Sequence, residues 1–103
     1  MYARHVTMQL KNNVIREFPT VLEKEILPLL RKQRGFMDEM LFITPDKNDA
    51  VAISLWEEKE HADAYSRDTY PQVVRILDKY IESSPVVKPF EVKYSTFHKM
   101  AHA

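Results

Sequence analysis

The stretch SLWEEKEHADAYSRDTYP (residues 54–71) gathers the chain's only Trp, one of its four His and two of its five Tyr. Trp56 could stack on a planar ligand, and the phenols of Tyr65 and Tyr70 could hydrogen-bond a ligand oxygen. The same three rings could equally close a small hydrophobic core. His5 lies in an extended run near the N-terminus and is the candidate catalytic base, because an imidazole that titrates near neutrality suits deprotonation of a phenol-like group. The structural alternative is a hydrogen-bonded His at a subunit interface. Arg4 interrupts an apolar parity, and Arg75 stands on a helical stretch. Either guanidinium could pair with a carboxylate or an enolate-like oxygen, or sit as a rim charge. The site expected from the sequence is therefore His5 as base, with Trp56, Tyr65, Tyr70 and Arg75 as ligand-binding residues.

Other chemistries lack their residues. There is no Cys, which removes disulfides, thiolate metal sites and a Cys nucleophile. A single Gly cannot build a phosphate-cradling loop. Ser54 has no nucleophile-elbow context. His98 and His102 have a spacing that serves metals on a helix, but they fall at a strand end and in a tail with no third ligand nearby, so no metal and no cofactor are expected. His61 falls on the polar side of its helix, opposite Tyr65, and is expected to face solvent. Glu57, Glu58, Lys59 and Glu60 read as a solvated helix start.

The elements that must position these groups follow from periodicity. The 103 residues form one domain, with about 99–103 as a loose tail. Lys plus Arg and Asp plus Glu are 15 each, a balance that gives no electrostatic reason for a nucleic-acid or anionic-membrane partner. No apolar run approaches the ~20 residues of a membrane span. The opening MYARHVTMQL lacks a secretory pattern, so cytoplasm is the expected compartment.

Residues 2–10 alternate as a strand, with Tyr2, Val6, Met8 and Leu10 on one parity and Ala3, His5, Thr7 and Gln9 on the other. Ile15, Phe18, Leu22, Ile26 and Leu29 draw the stripe of a helix over about 13–33. Pro19 offers a later start for it, and Pro28 should kink it or form a bulge. Gly35 suits a left-handed closing residue. Residues 36–45 and 49–57 read as a hairpin around a polar turn, the second strand central and covered on both faces. A short helix over 57–67, a second from 69 through Ile81, and a last strand over 86–99 complete the chain. Pro89 confines that strand to an edge or a bulge. The order is βαβ twice. This is the α+β, ferredoxin-like split-βαβ plan, a four-stranded antiparallel sheet with helices on one face. The other face would leave several large side chains in water at a cost on the order of 1.5–3 kcal/mol each, so a homodimer through the open sheet face is expected.

The helix join EKEILPLLRKQRGF (23–36) and the strand join AISLWE (52–57) followed by EKEHADAY (58–65) resemble the antibiotic biosynthesis monooxygenase-like family of dimeric α/β-barrel proteins, over nearly the whole chain. The resemblance implies a dimer with a central barrel and a pocket between helices and sheet in each subunit. It further implies, for some members, oxidation of anthrones or quinols by molecular oxygen without metal or flavin. Other members degrade haem, isomerise small signalling molecules, or have no known activity. The haem-degrading pattern is not met. Its strand Asn is missing, Tyr65 stands where it has a Trp, and Arg75 stands where it has the iron-ligating His. The expected function is a cofactor-independent monooxygenase of an aromatic or quinol-like molecule; the alternative is a non-catalytic or isomerase-type ligand-binding dimer.

Overall fold

A computed structural model describes residues 1–45 and 47–97. Strand β1 (Tyr2–Gln9) is followed by a helical segment in three parts: α1 (Phe18–Val21), a π-helical turn (Leu22–Ile26) and α2 (Leu27–Arg31). Then come β2 (Phe36–Ile43), β3 (Asp49–Trp56), α3 (Lys59–Asp68), α4 (Tyr70–Leu77) and β4 (Val86–Glu91). All strand pairs are antiparallel and the sheet order is β2-β3-β1-β4, which is the ferredoxin-like α+β plan.

The alternation along β1 holds. Arg4, Val6 and Met8 are buried under the helices, while His5 and Thr7 face the other side and stay half-exposed. On β3, Ala50, Ala52, Ser54 and Trp56 are buried on the helix side, and Val51, Ile53 and Leu55 are half-buried on the open side. Helix residues Phe18, Ile26, Leu30, Ala62, Tyr65, Val73 and Leu77 fill the layer between.

Three element boundaries differ from expectation. The first helix begins at Phe18, with Pro19 in its first turn, because a fixed φ and a missing donor suit that position. Of the kink and the bulge expected at Pro28, the chain takes the bulge: Pro28 follows a π-helical turn in which the Leu27 N–H donates to the Leu22 carbonyl, widening the helix just before the residue that cannot donate. α4 ends at Leu77 rather than Ile81, and Ile81 instead bridges to Leu10, tying the end of that helical stretch to the end of β1. β4 is an edge strand, as Pro89 requires, and stops at Glu91. No described helix is long and apolar enough to cross a membrane.

Candidate functional site

A cavity lies between the helix side of the sheet and the helices. Its volume is about 30 Å³, counted as space open to the centre of a water molecule. Its walls are mostly apolar, from β1, the π-helical turn, β3 and α4, with Val6, Ile26, Ala52 and Leu77 among them. Five polar side chains also line it: Arg4, Glu39, Ser54, Tyr65 and Tyr70.

Arg4 decides the character of this space. It is 5% exposed, and among the described residues no carboxylate lies within ion-pair distance of it. Its guanidinium carbon stands 4.3 Å from the ring centroid of Tyr70 and 4.9 Å from that of Tyr65. A weakly hydrated planar cation against two ring faces is a favourable arrangement away from water. It stabilises the cation without neutralising it.

Glu39 reaches the same space through a backbone irregularity. The register of β2 on β3 shifts between Phe36 and Asp38, so Phe36 pairs with Trp56 while Glu39 pairs with Ser54. An unbroken ladder would have put Glu39 opposite Ile53, on the open face. The extra residue of the bulge turns it to the helix side. Its Oε1 is enclosed and, among the described residues, makes no hydrogen bond. Burial pushes its pKa up to about 8, against the opposing pull of Arg4, with Asp38 adding a smaller push upward. At neutral pH the carboxyl is therefore mostly protonated, which leaves the charge of Arg4 without a counter-ion.

Tyr65 and Tyr70 are raised above the usual phenol range, first by burial and against the effect of Arg4, so both remain neutral donors. Among the described residues the Tyr70 hydroxyl is enclosed and has no hydrogen-bond partner. A buried polar atom without a partner costs about 1–3 kcal/mol, so two of them on one cavity mark a place where a polar ligand would be favoured.

Of the residues expected from the sequence, Tyr65 and Tyr70 line the cavity. Trp56 does not; it is fully buried behind it, 5.1 Å from Tyr65 between centroids and 5.6 Å from Phe36, and its indole N–H donates to the Ser54 hydroxyl at 2.9 Å. His5 is on the opposite side of the sheet, edge-on to Phe90 at 5.8 Å, because odd residues of β1 face away from the helices. It shares no wall with the cavity and cannot be its base. Arg75 is exposed on α4 and also stands outside the cavity. His98 and His102 lie outside the described residues. Glu39 had no signal in the sequence beyond being an acid inside an apolar strand, and Ser54 none beyond its parity. Arg4 did have one, the charge that breaks an apolar alternation.

His61 is also not where its helix position suggests. Its ring packs over Gly35, whose φ is +80°, and a Cβ at that Gly would fall 2.0 Å from His61 Nδ1. Beside it the Glu57 N–H donates to the Gly35 carbonyl at 2.8 Å. The helix–Gly–Phe join and the strand–Trp–Glu join therefore form one structural corner.

No family model matches the chain, and no curated protein matches it in sequence. Many solved structures match its fold. One is SnoaB, a cofactor-independent oxygenase from Streptomyces nogalater, with a TM-score of 0.72 and 16% identity over 92% of this chain and 95% of that one. A second is a monooxygenase from the gene ActVA-Orf6 of Streptomyces coelicolor, in complex with Nanaomycin D, with a TM-score of 0.76 and 11% identity over 95% and 92%. A third, from Nitrosomonas europaea, is ascribed to antibiotic biosynthesis monooxygenases, with a TM-score of 0.72 and 14% identity over 91% and 100%. The fold is that of the antibiotic biosynthesis monooxygenases. At these identities the likeness concerns the architecture of the chain. An antibiotic biosynthesis monooxygenase-like fold places its helices over one side of the sheet, and here that side holds the cavity with Arg4 and Glu39.

Proposed function

We propose that the chain is a cofactor-independent oxygenase of a small phenol- or quinol-type molecule, with the helix-side cavity as its site. The observation that carries this reading is the pairing of a buried, uncompensated guanidinium with a protonated carboxyl in one apolar cavity. The oxygenase and the monooxygenase among the similar structures support the class of reaction.

In this reading Glu39, once ionised, takes the hydroxyl proton of the substrate, and Arg4 holds the resulting anion. The anion carries electron density onto the ring CH carbon para to its oxygen and reduces dioxygen there. A C–O bond forms and Glu39 returns its proton to the distal oxygen, giving a hydroperoxide. Its O–O bond then breaks, one oxygen stays on the ring carbon as a carbonyl, and the other leaves as water with the hydrogen of that carbon. One dioxygen is consumed per phenol converted to a quinone and one water, and no other oxidant or reductant is needed. Tyr65 and Tyr70 donate hydrogen bonds and keep Arg4 in place.

The open sheet face completes the proposal as the contact of a homodimer. Phe42 is 52% and Phe90 49% exposed there, beside half-buried Ile53 and Leu55. Such a patch fits a second copy of the same sheet.

The deciding experiment is oxygen uptake by chelator-treated protein over a panel of quinols and anthrones, with Glu39→Gln and His5→Ala beside the wild type. Uptake that His5→Ala retains and Glu39→Gln loses is the expected result. Conversion that proceeds equally without oxygen would instead make the protein an isomerase working through the same acid–base groups.

A further inference from the structure

The cavity alone has space for little more than a water molecule, far below the roughly 300–1,000 Å³ of ordinary small-molecule sites, so a ring held at Arg4 needs space beyond its walls. Leu22 and Glu39 line the cavity and also line an outer groove between the π-helical turn, α2 and β2. Measured in the same way, that groove holds about 360 Å³. Its floor includes Leu27, Phe36 and Met37, with Arg31 at the rim. The two spaces thus share a half-buried Leu on a π-helical turn and a half-buried Glu just after a β-bulge. Both elements depart from regular geometry at the one place where the spaces meet, and such irregularities are frequent at functional sites.

We infer that the site is bipartite and takes a phenol or quinol ring carrying a slim apolar tail, the ring at Arg4 and the tail passing Leu22 into the outer groove. This rests on the proposed site but adds a second subsite and makes Leu22 the residue that sets tail length. An unbranched alkyl chain suits the way past Leu22 because it is narrower than a second fused ring. Leu27, Phe36 and Met37 give it an apolar bed.

The test compares phenol with 4-pentylphenol, using methyl NMR shifts and Trp56 fluorescence titration. Phenol should shift the methyls of Val73 and Leu77, which line the cavity. Pentylphenol should shift these and also those of Leu27 and Met37, and bind at least about tenfold tighter. Leu22→Trp should abolish that gain, read as the ratio of the two affinities within the same variant; Leu22→Phe serves the same purpose if the larger ring disturbs folding. Equal affinity for the two ligands, or pentylphenol shifts at Ile53 on the open face in place of Leu27 and Met37, would overturn the bipartite site while leaving the cavity reading intact. Failure of phenol to shift Val73 and Leu77 would remove the cavity reading itself, and the bipartite site with it.

Discussion

Arg4 and Glu39 occupy one cross-strand row on the helix side of the sheet, with Ser54 between them: Arg4 pairs with Ser54 across β1 and β3, and Glu39 pairs with Ser54 across β2 and β3. The next row on that side is Val6, Ala52 and Leu41, and the one beyond is Met8, Ala50 and Ile43, so this is a single polar row set into an apolar layer. An isolated row of this kind costs stability, because each group gives up water and neither forms an ion pair. Its expense is the reason to assign it to function.

That cost makes a pH signature in stability. Glu39 titrates near 8 in the folded chain and near 4.5 when unfolded. Below about pH 4.5 both states are protonated and no penalty applies. As pH rises toward 8 the unfolded state releases its proton and the folded state does not, so stability falls through that window and levels off above it, by an amount on the order of a few kcal/mol. Melting temperatures at intervals from pH 5 to 9 should decline in the wild type more than in Glu39→Gln. Parallel curves for the two proteins would show that the carboxyl is not enclosed as described.

The same titration should shape catalysis. The base form of Glu39 appears only as pH passes about 8, so kcat/KM should rise to a plateau above that pH on a substrate whose own hydroxyl titrates later. Glu39→Gln should lower the plateau by about 10²–10⁴-fold, the range of a lost general base. A rate profile unchanged in Glu39→Gln would assign the proton transfer elsewhere.

Arg4 opposes the burial of Glu39, so its removal should push the carboxyl higher still. Arg4→Met keeps an apolar stem among the Tyr65 and Tyr70 rings and takes away a buried charge without orphaning an ionised partner at pH 7. Replacing a buried charge with a well-packed apolar residue is often neutral or stabilising. The expected outcome is a folded protein of similar or higher stability, a Glu39 carboxyl ¹³C titration midpoint above the wild type's, and loss of affinity for anionic phenolates. A midpoint that moves downward contradicts the coupling between the two groups.

The contrast between Arg4 and Glu39 shows what could be read from sequence. Strand parity alone puts Arg4 among Tyr2, Val6 and Met8, and the structure buries all of these but the half-exposed Tyr2. Parity fails for Glu39 because the bulge after Phe36 reverses which residues of β2 face the helices, and no Gly or Pro in that strand announces it. For His5 the parity was legible, but its meaning depended on which side of the sheet holds the cavity. Pro28 signalled an irregular helix but not which irregularity; the π-helical turn the chain takes keeps Ile26 and Leu30 both buried.

Gly35 should be the least replaceable residue outside the cavity. Gly35→Ala must hold an L side chain at a φ of +80° and place its Cβ 2.0 Å from His61 Nδ1 and 2.7 Å from His61 Cβ. The second distance involves the base of the His side chain, so rotating the ring does not relieve it. The backbone strain alone is worth about 1–3 kcal/mol. Urea unfolding should show a loss larger than this for Gly35→Ala, and partial recovery in the double variant with His61→Ala, which removes the ring but neither its Cβ nor the strained φ. Full recovery in the double variant would mean that the ring contact was the whole effect.

The open face carries the last expectation. Ile53 sits centrally on it, with His5 opposite on β1 and Met40 opposite on β2. Its side chain points away from the helices, so Ile53→Asp leaves the cavity and the inner core untouched. In a face-to-face dimer the same change buries a carboxylate at the centre of the contact. Sedimentation velocity at micromolar concentration should therefore give a dimer for the wild type and a folded monomer for Ile53→Asp. A wild type that sediments as a monomer, with cooperative unfolding, would sink the dimer and require Phe42, Ile53 and Phe90 to be covered by something other than a second copy.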